Sequence, residues 1–170
     1  MKYQSGDTVL YGQEVCEITG ITTKTINGNA IDYYVLKPIY DSKTVVYAPV
    51  DNEHTSSKMK RILSEQEIHA VIKTVPDEDA VWISDDYQRR NSYKEIMANG
   101  DRSGLIKIIK TLYLYQQSQK EQGKKLHISD ERLMKEAEKM LYEEFSHVLN
   151  LQPSQLLPLV LGSDAQETEI

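Results

Sequence analysis

The chain has 170 residues, 39% apolar and 27% charged, with eight glycines, five prolines and one cysteine, a balance that excludes collagenous, disordered and disulfide-scaffold classes and fits one or two small domains. Its net charge of −6 comes from 26 acids against 20 bases, so the molecule as a whole repels a polyanion unless its bases gather on one face. Cys16 has no second cysteine to pair with, which points to a reducing compartment and removes disulfide and cysteine-zinc chemistry. No run approaches the ~18 apolar residues of a membrane span, and residues Met1 to Asp7 lack the apolar core of a secretory signal, so a cytoplasmic protein with no membrane contact is expected.

From Asp7 to Val50, short runs rich in Val, Ile, Thr and Tyr are separated by Gly, Asn and Asp, the pattern of half-buried antiparallel strands. Strands are predicted near 7–12, 14–23, 31–37 and 43–49. Asn27-Gly28 supplies the positive φ angles of a tight hairpin turn between Thr22–Ile26 and Ile31–Leu36, and Tyr40-Asp41-Ser42-Lys43 reads as a second turn. Four or five short strands in a meander are too few for a sandwich, so residues 1–52 are expected to curl into a small Tudor- or SH3-like barrel. Residues 53–63 then read as a linker.

After His54 the period becomes helical. Ser64-Glu65-Gln66-Glu67 is a capping box ahead of Ile68, Val71 and Ile72, and that helix stops before Pro76. A second helix is predicted from a cap at Ser84 or Asp85 to Asn99-Gly100, and Asp101 caps a third that carries Leu105, Ile106, Ile108, Ile109 and Leu112 and ends near Gly123. Ser129 is the expected cap of a fourth, with Leu133, Ala137, Met140, Leu141 and Phe145 on one face. Pro153 suits the first turn of a short fifth helix ending at Leu161. The expectation is an α+β chain: a small β-barrel, a helical domain of about five helices over 64–162, and an acidic tail at 163–170.

Chemistry-bearing motifs are missing. No phosphate-binding loop, dinucleotide fingerprint, nucleophile elbow or H-E-x-x-H occurs, and His54, His69, His127 and His147 are scattered without metal-ligand spacing. Acidic pairs such as Asp85-Asp86 and Glu143-Glu144 point in different directions on a helix, so no enzyme, cofactor or metal is expected.

What remains is surface. Between Tyr87 and Lys110 lie Arg89, Arg90, Lys94, Arg102, Lys107 and Lys110 against Glu95 and Asp101, so the bases of an acidic chain are concentrated there. Arg90 and Lys94 share one helix face, with Arg89 and Tyr93 on the neighbouring one, a set that can meet phosphate oxygens or serve as a solvated face balanced by Asp85 and Asp86. Trp82, the single tryptophan, precedes this helix and is either a packing plug or an exposed wedge of the kind that props open a distorted DNA step.

Taken in order, Gly6-Asp7-Thr8-Val9-Leu10-Tyr11, Thr25-Ile26-Asn27-Gly28, Tyr33-Tyr34-Val35-Leu36-Lys37 and Val46-Tyr47-Ala48-Pro49-Val50 resemble the N-terminal module of CarD/CdnL transcription regulators. Trp82, Arg89-Arg90, Gly100-Asp101 and Lys107 to Tyr113 are similar to the helical part of that family, and the resemblance runs over about residues 2 to 150. It implies a non-enzymatic protein, expected to be a monomer, whose Tudor-like module binds the β-subunit lobe of bacterial RNA polymerase. The helical domain would touch promoter DNA at the upstream edge of the transcription bubble, weakly by itself, and stabilise the open complex; its location would be cytoplasmic, with the nucleoid through polymerase.

By the resemblance, Lys24, Thr25, Ile26 and Tyr47 fall at polymerase-binding positions, and Trp82, Tyr87, Arg89, Arg90 and Lys94 at DNA-binding ones. Two departures stand out. Tyr47 occupies a position where characterised relatives carry a base, and alignment backward from Gly100 puts Asp86 or Tyr87 near the family's wedge tryptophan, leaving Trp82 and Tyr87 as competing candidates. The competing function is a non-enzymatic interaction adaptor without direct DNA contact; burial of Trp82 would favour it.

Overall fold

The computed structural model describes residues 2–41 and 43–162; the expected acidic tail lies outside the described residues. The chain divides into two units, Met1–Leu63 and a second that begins at Ser64.

In the first unit five strands, β1 (Thr8–Tyr11), β2 (Glu14–Ile26), β3 (Asn29–Pro38), β4 (Val46–Pro49) and β5 (Met59–Arg61), pair antiparallel in the order β4-β3-β2-β1-β5. Asn27 and Gly28 take φ of 52° and 80°, which closes the β2–β3 hairpin with Ile26 opposite Asn29. Alternation places Cys16, Ile18, Tyr34, Leu36 and Ala48 on one face, where they close over Val9 and Met59 as the core of the unit.

The sheet is open rather than the closed barrel expected. β4 and β5, its two ends, are four and three residues long and do not pair with each other. β2 has 13 residues, whereas β1 follows it only from Glu14 to Glu17. Beyond the bulge at Ile18/Gly20, β2 is paired with β3 alone, so one edge of the hairpin from Gly20 to Ile26 is unpaired among the described residues.

The expected linker is also corrected. Residues 53–58 form a short helix, α1 (Glu53–Lys58), capped by the Asn52 side chain, and β5 returns the chain to the sheet with Leu10 opposite Lys60. Three strand residues and one helical turn leave too weak a periodicity to be read from sequence.

The second unit carries α2 (Glu65–Lys73), a single 3-10 turn (Asp77–Asp79), α3 (Asp86–Asn99), α4 (Arg102–Glu121), α5 (Ile128–Leu149) and α6 (Pro153–Leu161). Ser64 and Glu67 complete the capping box of α2, Asp85 accepts from the Gln88 N–H to cap α3, and Gly100 ends α3 at φ 64°. The cap of α5 is His127, not Ser129: its ring nitrogen accepts from the Ser129 N–H. Leu105, Ile106, Ile108, Ile109 and Leu112 of α4 and Leu133, Ala137, Met140, Leu141 and Phe145 of α5 are buried, as their spacing predicts.

Gly104 sits in the first turns of α4, where a Cβ would lie 2.4 Å from Ile96 Cγ2 on α3. The Ile96 methyl is attached to a stiff β-branched carbon and cannot swing away. Gly104→Ala is expected to destabilise the helical unit by about 1 kcal/mol or more in urea unfolding, overriding the ~1 kcal/mol helix-propensity gain, and Ile96→Ala in the same chain to recover part of the loss.

Candidate functional site

Two surfaces collect the residues singled out by sequence, one on each unit. On the first, the register pairs Lys24 with Ile31, Thr22 with Tyr33 and Val35 with Tyr47, so these side chains share the face of the sheet opposite the core. Ile26 and Tyr47 are 45% and 46% exposed on that face, an unusual load of apolar surface for a sheet turned toward solvent. The Lys24 ammonium lies 3.5 Å from the centre of the Tyr47 ring and 5.8 Å from that of Tyr33. Thr25, one residue on, falls on the alternate face opposite Ala30.

On the second unit the site is built around Arg89, which α3 drives inward: the residue is 2% exposed. Its Nε and Nη2 donate to the two carboxylate oxygens of Asp130 on α5 at 3.0 and 2.8 Å, and Nη1 donates to the Ile83 carbonyl at 3.0 Å. Asp86 approaches Nη2 at 2.9 Å from the first turn of α3. Burial works against the charge, but these acceptors outweigh it and the Arg89 pKa is raised.

The guanidinium also lies 4.2 Å from the centre of the Trp82 ring, and Trp82 stacks on Tyr115 of α4 with centroids 3.5 Å apart and planes 2° from parallel. Tyr93, one turn along α3 from Arg89, is buried, and burial pushes its phenol up to about 12.

Two further bases are drawn inward. Arg102 makes a two-pronged pair with the buried Glu144, both contacts at 2.6 Å, and the buried Lys110 Nζ donates to the Val75 carbonyl at 2.5 Å with Asp77 at 3.4 Å. Lys110 therefore holds the start of the segment between α2 and α3, and Arg89 its end. Val81, between them, stands 65% exposed.

Residues 3–63 match the family model described as CarD-like/TRCF RID domain. The first unit is a CarD-like domain. The match covers the first unit and likens it to domains that interact with RNA polymerase in transcription proteins; the helical unit lies beyond the matched residues. No curated protein matches the chain.

Within the CarD-like unit, Lys24, Ile26 and Tyr47 come together on one outward face, beside the unpaired edge of β2. In the helical unit the expected set divides. Tyr87 is 77% exposed and Lys94 is exposed, and with the half-buried Arg90 they are spaced three and four apart on α3. Arg89 is corrected from a phosphate contact to a core residue, since its donors are taken by Asp130, Asp86 and Ile83. Trp82 is likewise held as a half-buried brace rather than presented as a free ring.

Of the six bases counted between Tyr87 and Lys110, Arg89, Arg102 and Lys110 are spent on internal partners. The sequence reading missed Asp130 and Tyr115, which carry no local signal because they meet Arg89 and Trp82 only through the packing of α4 and α5. Among the described residues, no three His, Cys, Asp or Glu side chains gather as a metal site, and no helix is long and apolar enough to cross a membrane.

Removing Asp130 takes away both acceptors of the two-pronged pair and leaves the buried Arg89 with only the more exposed Asp86 carboxylate and the Ile83 carbonyl. Asp130→Ala is expected to cost about 3–5 kcal/mol of unfolding free energy in the helical unit and to shift the emission of Trp82, the single tryptophan. Tyr93 gives a pH test: the folded chain keeps a phenol proton that the unfolded chain releases above about 10. Stability contributed by the neutral phenol is present below pH 10 and is lost as pH rises through about 12. Urea midpoints followed by Trp82 fluorescence should fall across that window, and less steeply in Tyr93→Phe.

Proposed function

We propose that the chain is a non-enzymatic CarD-like transcription regulator, monomeric and cytoplasmic, that docks its first unit on the β-subunit lobe of bacterial RNA polymerase. Its helical unit then reaches promoter DNA at the upstream edge of the transcription bubble and stabilises the open complex. The observation that carries this reading is the coincidence of the CarD-like match over residues 3–63 with an uncovered apolar sheet face around Lys24 and an unpaired β2 edge. An open strand edge takes a partner strand through main-chain hydrogen bonds, and the side chains beside it set the choice of partner.

For the DNA contact, Tyr87 is the better wedge. It stands out from the first turn of α3, with Arg90 and Lys94 behind it, whereas Trp82 would have to leave its stack on Tyr115 and its contact with Arg89. Few exposed bases on α3 mean few phosphate contacts beside Tyr87, so DNA affinity of the free protein through this face is weak and falls with salt. Anchoring by polymerase makes the same contact intramolecular and effective. The internal pairing of Arg89, Arg102 and Lys110 also supports the second reading, an adaptor that binds polymerase without touching DNA.

In a titration against the β-subunit lobe, Lys24→Glu and Ile26→Ala are expected to weaken binding about tenfold, ~1.4 kcal/mol each. Tyr87→Ala and Lys94→Glu should leave that binding intact and shorten open-complex lifetime, with Trp82→Phe close to the unmodified chain. Unchanged lifetimes for the Tyr87 and Lys94 variants would select the adaptor reading, and no binding by the unmodified chain would remove polymerase as the partner.

A further inference from the structure

Towards the tip of the β2–β3 hairpin the outward sheet face carries one charge among mostly apolar side chains, the Glu17/Lys37 pair lying further along. Lys24 is flanked by Thr22 and Ile26 on its own strand, Ile31 and Tyr33 on β3, and Tyr47 across β3 on β4. The nearest acid along the hairpin, Asp32, is on the other face, where its carboxylate accepts from the Thr23 hydroxyl at 2.6 Å. Among the described residues the Lys24 ammonium meets two rings and no carboxylate.

A lysine on an open sheet ordinarily samples many rotamers. Here the Tyr47 ring, 3.5 Å from the ammonium, holds the charge in place by its quadrupole and takes up one side of its solvation shell. The ring does not neutralise the charge, so the ammonium keeps donors for an incoming acceptor. The apolar surroundings lower the local dielectric once a partner covers them, which makes a matching carboxylate worth more and an absent or cationic match costly.

We infer that Lys24 is the specificity-determining cation of this face and Tyr47 the residue that positions it, so that the face selects a partner surface placing one carboxylate within an otherwise apolar patch. Tyr47 thus acts through Lys24 rather than by supplying a charge of its own. The identity of the partner as polymerase rests on the reading proposed above; the coupling of Lys24 to Tyr47 does not.

Two measurements on the full chain separate these. In the free protein, NMR should find the Lys24 ε-methylene protons shifted upfield by the ring current, still shifted in Tyr47→Phe and at their ordinary position in Tyr47→Leu. In titrations against the polymerase β-subunit lobe at several salt concentrations, Lys24→Met should weaken binding about tenfold and flatten the salt dependence, Tyr47→Phe should bind as the unmodified chain does, and Tyr47→Leu should lose several-fold. The double variant Lys24→Met, Tyr47→Leu should be no more than about twofold weaker than Lys24→Met alone, because the ring has no cation left to hold. Unshifted Lys24 protons, or binding losses that simply multiply in the double variant, overturn the inference and leave polymerase as the partner. No binding by the unmodified chain at any salt overturns polymerase as the partner and, with it, the occupant assigned to this face.

Discussion

A guanidinium taken out of water must be surrounded by acceptors, and the helical unit is organised around meeting that demand at Arg89. Asp130 supplies both carboxylate oxygens from α5, Asp86 a third contact from α3 and Ile83 a backbone carbonyl from the segment before it. Trp82 packs against the same group and Tyr115 against Trp82, so α3, α4, α5 and the connecting segment all converge on one charge. Such a pair contributes more to geometric definition than to net stability, since desolvation offsets much of the attraction.

The same economy governs the surface. Arg102 and Lys110 are also turned inward, each against an acid from another element. A stretch that looks basic along the chain therefore offers mainly Lys94 and Lys107 toward solvent, with Arg90 half-buried, in a molecule whose net charge is −6. With so few free bases on this stretch, the face around α3 suits a contact made under tether rather than one that finds a polyanion by charge.

In the first unit the governing constraint is a mismatch of strand lengths. A 13-residue strand bordered on one side by four residues must leave part of its edge bare, and the two short end strands do not pair to close the sheet. The bare edge and the uncovered apolar face lie next to each other because both come from the same protruding hairpin. Uncovered face and incomplete barrel are one feature.

Local chemistry was legible in the sequence: the Asn27-Gly28 turn, the Ser64–Glu67 box, the Asp85 and Gly100 caps and the buried stripes of α4 and α5 are each set by residues within a few positions of one another. The residues of a CarD-like module were legible for the same reason, since they punctuate consecutive strands. What tertiary structure alone decided was which bases face solvent. Whether Arg89 meets phosphate or Asp130, 41 residues away, depends on how α3 and α5 pack, and no periodicity encodes it. Barrel closure and the placing of Lys24 on Tyr47 are of the same kind. Both depend on strand pairing between distant segments, where register and strand length, rather than residue type, determine what meets what.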